Sequence, residues 1–162
     1  MADMLVKLYA DLPHIDTDAY RRESGVYIKR ALIPDKEKIL SFIRANFSGT
    51  WVHECEYALF HDPISCYIAV EDKEVIGFAC YDATAKGFFG PFGVKESKRN
   101  KGIGRVLFHK CLQSMKEAGY GYAIIGWTSE KAIPFYQREA GATIIDDSPT
   151  SKSVYRNLIE TE

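Results

Sequence analysis

A chain of 162 residues, 46% hydrophobic and 27% charged, is long enough for one domain with a full core. A formal net charge of −1 excludes a protein that holds nucleic acid through an overall basic face, and no apolar run approaches a membrane span. Cys55, Cys66, Cys80 and Cys111 show no metal-ligand spacing and no signal-peptide pattern precedes them, so they read as reduced, mostly buried thiols of a cytoplasmic protein.

In chain order, residues 1–24 are the hardest to place. Met4 to Leu8 suits a short strand, but Asp11 to Ser24 is polar and carries Pro13. The stretch is read as an N-terminal extension, packed on the domain or on a second copy, with the domain itself at 25–162. From Gly25 the apolar residues alternate as in a strand. Pro34-Asp35 then opens a helix with Ile39, Leu40, Ile43 and Phe47 on one face. A second helix runs from about Thr50 to Phe60. Three strands follow as a meander: Ser65 to Glu71, Val75 to Ala83, and Phe88 to Val94.

Next comes Arg99-Asn100-Lys101-Gly102-Ile103-Gly104, at the start of an amphipathic helix that buries Ile103, Val106, Leu107, Cys111 and Met115. A helix start offers four unpaired N–H groups and the positive end of the macrodipole, and glycines let an anion reach them. Lys95, Lys98, Arg99, Lys101 and Arg105 crowd the same loop. The pattern suits a polyphosphate ligand, although the hexapeptide alone also suits a solvated charged turn that caps a helix. It is neither a P-loop nor a dinucleotide fingerprint, because Leu107 stands where the third glycine would be. An apolar strand, Tyr122 to Trp127, precedes a short helix over about Ala132 to Glu139, with Pro134 in its first turn. Two last strands are expected at Ala142 to Ile145 and Ser153 to Ile159. They would form a sheet edge that a homodimer could cover.

The Arg-x-x-Gly-x-Gly loop between a strand and a long helix resembles the acetyl-coenzyme A loop of the GNAT-type N-acetyltransferases. A second stretch, Ala132-Ile133-Pro134-Phe135-Tyr136-Gln137-Arg138-Glu139-Ala140-Gly141-Ala142, is similar to that family's Ala-x-x-Phe-Tyr-x-x-x-Gly-Phe segment. With the elements between them in register, the resemblance covers residues 25 to 159. It implies an α/β (α+β) acyl-CoA N-acyltransferase fold, a mixed sheet of about seven strands flanked by four helices.

The resemblance also implies transfer of an acetyl group from acetyl-CoA to a primary amine, with no metal required. Coenzyme A would be held by Arg99, Asn100, Lys101, Gly102, Ile103, Gly104 and Arg105. The backbone of Phe92, Gly93 and Val94 would pair with the pantetheine arm, and an N–H there aimed at the developing oxyanion is worth ~3 kcal/mol. Tyr136 matches the tyrosine that faces the coenzyme sulfur, whereas Phe135 reads as a core aromatic. Ser129 stands where the family often has asparagine; a serine can still donate one hydrogen bond and cap the helix.

The acceptor amine arrives protonated, so a base or water chain must take a proton. Glu54 is the candidate carried forward, beside Glu56, His53, Asp82 and His61. Trp51, Tyr57, Tyr81 and Trp127 are candidate pocket aromatics. The acceptor is read as a small molecule. A protein or peptide amine, or a non-catalytic coenzyme-binding sensor, stays open as an alternative.

Overall fold

The computed structural model describes residues 1–148 and 152–159. In chain order they form β1 (Ala2–Lys7), α1 (Thr17–Ser24), β2 (Tyr27–Arg30), α2 (Lys36–Asn46), α3 (Trp51–Leu59), β3 (Cys66–Glu71) and β4 (Glu74–Tyr81). There follow β5 (Phe88–Val94), α4 (Ile103–Glu117), β6 (Tyr122–Thr128), α5 (Ile133–Ala140) and β7 (Thr143–Ile144). Asp72 and Lys73 take positive φ, 51° and 67°, and close β3 onto β4 in a two-residue hairpin with Glu71 opposite Glu74.

The strands make one mixed sheet in the order β2-β3-β4-β5-β6-β1-β7. Every neighbouring pair is antiparallel except β5 and β6. Each face is covered. On one, Val106, Leu107, Phe108, Cys111, Leu112 and Met115 of α4 pack with Met4, Val6, Phe89, Val94, Ile125 and Tyr136. On the other, Ile39, Leu40 and Ile43 of α2 and Cys55, Ala58 and Leu59 of α3 pack on Ile68, Phe78 and Cys80. Each fully buried Leu or Ile in these layers contributes about 1.5–3 kcal/mol. All four cysteines are free and buried, and the sulfurs of Cys55, Cys66 and Cys80 lie within 4.8 Å of one another. No helix of the described residues is long and apolar enough to cross a membrane.

Three expectations are corrected. Residues 1–24 are not an extension: β1 is an interior strand, pairing with β6 on one side and β7 on the other, because Met4 and Val6 alternate into the α4-face core. Asp11 to Ser24 is not all loop either, and its helix α1 raises the count from four to five. Asp16 caps it by accepting the N–H groups of Asp18 and Ala19, both at 3.0 Å, and Gly25 ends it at φ 75°. The strand expected at Ser153 to Ile159 is a 3-10 turn over Val154–Asn157, opened by Ser153 accepting the N–H of Tyr155. The sheet edge beside β1 is therefore the two-residue β7.

Candidate active site

The site begins where two strands part. β5 and β6 pair only at Phe88 with Ile124 and Phe89 with Ile125, after which β5 continues alone on that side. On its other side β5 stays on β4, with Gly93 opposite Phe78, and Lys95 N–H donates to the Ile76 carbonyl at 2.8 Å. Backbone groups alternate along an antiparallel ladder, so Gly93 faces β4 while Phe92 and Val94 face the gap. The result is a V-shaped opening edged by main chain. Arg99 Nε reaches back to the Val94 carbonyl at 3.0 Å and holds the loop against the strand end.

That loop turns through two left-handed residues, Asn100 at φ 64° and Gly102 at φ 82°. Gly102 is the N-cap of α4, and no side chain caps the N–H groups that follow. Uncapped amides and the positive end of a fifteen-residue helix thus face the cleft. Asn100 leaves its side chain there and Gly102 leaves none, so a phosphate meets backbone directly. The cleft has a volume of about 670 Å³, and Phe92, Gly93, Val94, Arg99, Asn100, Gly102, Ile103, Gly104 and Arg105 line it. Lys101 is the one loop residue expected in the site that is not among its lining; its carbonyl accepts the hydroxyl of Tyr20 at 3.1 Å, which docks α1 onto the loop.

Two further walls complete the cleft, and of their residues only Trp51 was among the expected pocket aromatics. Phe47 and Trp51, from the far face of the sheet, reach the cleft opposite Gly93, where an added Cβ would stand 2.5 Å from the Phe47 ring. Glycine at 93 is a steric requirement. On the α5 side Glu139 accepts from Arg105 Nε at 2.7 Å and pairs with His109 Nε2 at 3.1 Å. Burial works against its charge, but His109 and Arg105 hold its carboxyl below the usual range.

Phe135, read from the sequence as a core aromatic, belongs to the cleft wall. Phe135 stacks with Phe92 and lines the cleft, whereas Tyr136 is buried among Phe89, Phe92, Phe108 and Phe135. Burial pushes the Tyr136 phenol far up, and its hydroxyl has no hydrogen-bond partner among the described residues. Ser129 is exposed and does not cap α5 with its side chain: the N-cap is Ala132, and Ser129 offers only its carbonyl, to Ala132 and Ile133.

On the opposite face of the sheet, α3 carries Glu54, half-buried and accepting a hydrogen bond from Thr84 Oγ1 on the β4–β5 loop. Burial raises its carboxyl and the Thr84 hydroxyl partly offsets the rise. Beside it the 3-10 turn brings Tyr155 over Gly126, its ring 4.7 Å from that of Trp127. The other acid and base candidates are engaged elsewhere. Glu56 pairs with Lys36 at 3.2 Å, and His53 is exposed. Asp82 accepts Gly87 N–H at 2.7 Å and the Tyr120 hydroxyl at 2.8 Å, and with His61 and Tyr81 it lines a separate hollow of about 710 Å³. Tyr57 is exposed at the surface.

This geometry has relatives. No curated protein sequence matches the chain. Among solved structures, it is similar to the glucosamine N-acetyltransferase region of a fungal multi-domain GH3 β-N-acetylglucosaminidase, with TM-score 0.69 and 16% identity over 89% of this chain and 19% of that one. A GCN5-related N-acetyltransferase from Sphaerobacter thermophilus matches with TM-score 0.67 and 19% identity over 89% of this chain and 48% of that one. A GNAT family acetyltransferase from Brucella melitensis, solved with acetyl-CoA, matches with TM-score 0.52 and 18% identity over 76% of this chain and 89% of that one. The chain thus spans less than half the length of the first two. At these identities the likeness is one of fold. A family model, described as the acetyltransferase (GNAT) family, matches residues 16–142. The parted strands, the glycine-led loop and that match over most of the sequence agree: the chain belongs to the GNAT family of acetyltransferases.

Proposed function

We propose that the protein transfers the acetyl group of acetyl-CoA to a primary amine of a small molecule, by direct attack while both substrates are bound. The observation that carries this reading is the parting of β5 from β6, whose free edge at Phe92 and Val94 runs into the uncapped start of α4. An extended pantetheine arm can pair along that edge while its pyrophosphate meets the amides of Gly102 to Arg105 and the charges of Lys98, Arg99 and Arg105. The thioester then lies in the gap, open to both faces of the sheet.

The two faces divide the proton work. Glu54, on the α3 face, takes a proton from the arriving ammonium directly or through water, and the raised carboxyl suits a base working near neutral pH. The free amine attacks the thioester carbon. A nitrogen–carbon bond forms, the nitrogen gives its second proton to solvent, the carbonyl oxygen gathers charge beside the β5 amides, and the carbon–sulfur bond breaks on collapse. The thiolate leaves toward the α4 face, where Tyr136 packs. A phenol already near ~10 in water is a poor acid toward a thiolate near ~8.5, and burial makes it poorer. Tyr136 therefore serves as a hydrogen-bond donor to the leaving sulfur, and solvent completes the protonation.

A small-molecule acceptor is favoured by the near-neutral net charge and by the amino-sugar acceptor named for the fungal relative. Four free, buried cysteines suit a cytoplasmic setting. The test is a thermal-shift series with acetyl-CoA, coenzyme A and ATP, followed by thiol release across pools of amines. A ligand at a hundredfold its dissociation constant stabilises by ~2.7 kcal/mol. Stabilisation by both coenzymes, weaker stabilisation by ATP, and thiol release with an amine pool are the expected results; no stabilisation by either coenzyme overturns the reading.

A further inference from the structure

Tyr155 sits at the fork itself. β5 and β6 last pair at Phe89 and Ile125, so Gly126 and Trp127 are the next β6 residues along the opening gap. Gly126 turns to the α3 face, since Ala123 and Ile125 on either side of Ile124 belong to the α4-face core. The space above it belongs to Tyr155: a Cβ there would lie 2.6 Å from the phenol oxygen, 2.7 Å from the ring and 3.0 Å from Phe88. Trp127, held at φ 56° with its N–H donating to Asp3 Oδ1 at 3.0 Å, presents its ring to Tyr155 at 4.7 Å. Thr84, which hydrogen-bonds the carboxylate of Glu54, also stands within reach of the Tyr155 phenol.

We propose that Tyr155 and Trp127, with the carboxylates of Glu54 and Asp3, form the recognition site for the acceptor, and that the acceptor is a cationic amine carrying no carboxylate. Aromatic faces and carboxylates both attract an ammonium group, whereas an amino acid would bring its own carboxylate toward Glu54 and Asp3. The charges that act on the Tyr155 phenol are these two, both negative; burial, with their help, pushes it up to about 12, so it stays a neutral donor and acceptor at working pH. Tyr155 is a positioning residue that sets where the amine stands relative to Glu54. The proposal rests on the acetyl-transfer reading and adds the class of acceptor to it.

The probes are spermidine, a polyamine, and β-alanine, an amine with a carboxylate. Acetyl-CoA-dependent thiol release is measured with each, for the wild type and for Tyr155→Ala, Tyr155→Phe and Gly126→Ala. Spermidine is expected to be the better acceptor. Tyr155→Ala should raise its KM about tenfold, as loss of one cation–aromatic contact does, with the KM for acetyl-CoA unchanged. Gly126→Ala should act in the same direction by displacing the ring, and Tyr155→Phe should keep most of the affinity. A preference for β-alanine, or a spermidine KM indifferent to Tyr155→Ala and Gly126→Ala, overturns the proposal.

Where neither probe releases thiol, the second readout is melting with coenzyme A and spermidine together. Extra stabilisation by spermidine that Tyr155→Ala abolishes supports the site. Coenzyme stabilisation with no effect of spermidine removes the acceptor site alone, whereas absence of coenzyme stabilisation removes the acetyl-transfer reading beneath it.

Discussion

The two mouths of the fork are made of different material. On the coenzyme side, the groups that can meet the ligand are mostly main chain: the free edge of β5 and the bare amides at the start of α4. Side chains there mainly shape the walls, as Phe47 does opposite Gly93 and Phe135 against Phe92. On the α3 side the chemistry is all side chain, with Glu54, Thr84, Trp127 and Tyr155 brought from four separate elements and Asp3 from a fifth. A main-chain site depends on local backbone conformation and tolerates changes in the side chains around it. A side-chain site can be retuned by single substitutions while the fold stays as it is, which is how one scaffold serves many acceptors.

Single changes on the two sides should therefore fail differently. The largest effect belongs to Glu54→Gln, which should lower kcat/KM for the amine by about 100-fold while coenzyme affinity holds. Its partner gives a signed test. Thr84 lowers the Glu54 carboxyl against the rise that burial causes. Thr84→Val should therefore move the acid limb of the kcat/KM profile to higher pH; an unmoved or lowered limb means another group is the base. On the coenzyme side, Gly102→Val forces a β-branched residue to φ 82° and should weaken coenzyme binding by about 30-fold in calorimetry, with circular dichroism unchanged. Tyr136→Phe should lower kcat about tenfold without touching coenzyme affinity, since only the bond to the leaving sulfur is lost. Smallest is Gly141→Ala, at another left-handed helix terminus, with open space around it. It should cost about 1 kcal/mol in denaturant unfolding and leave kinetics alone, which separates backbone strain from loss of a site.

The same contrast explains what could be read from the sequence. The order from β2 to α5 followed from periodicity and turn chemistry, and the coenzyme loop from a hexapeptide, because both are written in neighbouring residues. Glu54 could be named only as one carboxylate among several, because its distinction comes from Thr84, thirty positions on. Tyr155 was missed because Val154, Tyr155, Leu158 and Ile159 make the stretch apolar enough to pass for a strand; the Ser153 cap that makes it a turn was the available signal. Asp16 and Gly25 flagged α1 at both ends, but its polar sequence and lack of buried residues hid it. That Phe135 lines the cleft turns on which side of α5 meets the gap, and helical spacing alone does not fix that.

The position of β1 has a consequence for how the molecule comes into being. Leu5 is synthesised well before the strands on either side of it, for it lies opposite Ile124 and Thr143. A growing chain therefore carries Met4, Val6 and Leu8 without their neighbouring strands until β6 has been made, and contacts so distant in sequence make folding slow. The cleft shares that schedule, because the gap beside β5 has a second wall only once β6 is in place. Premature termination before Tyr122 would leave the glycine loop intact and the fork absent. A nascent chain of that kind would expose an apolar strand to its neighbours and to chaperones, and it would have nowhere to put a thioester.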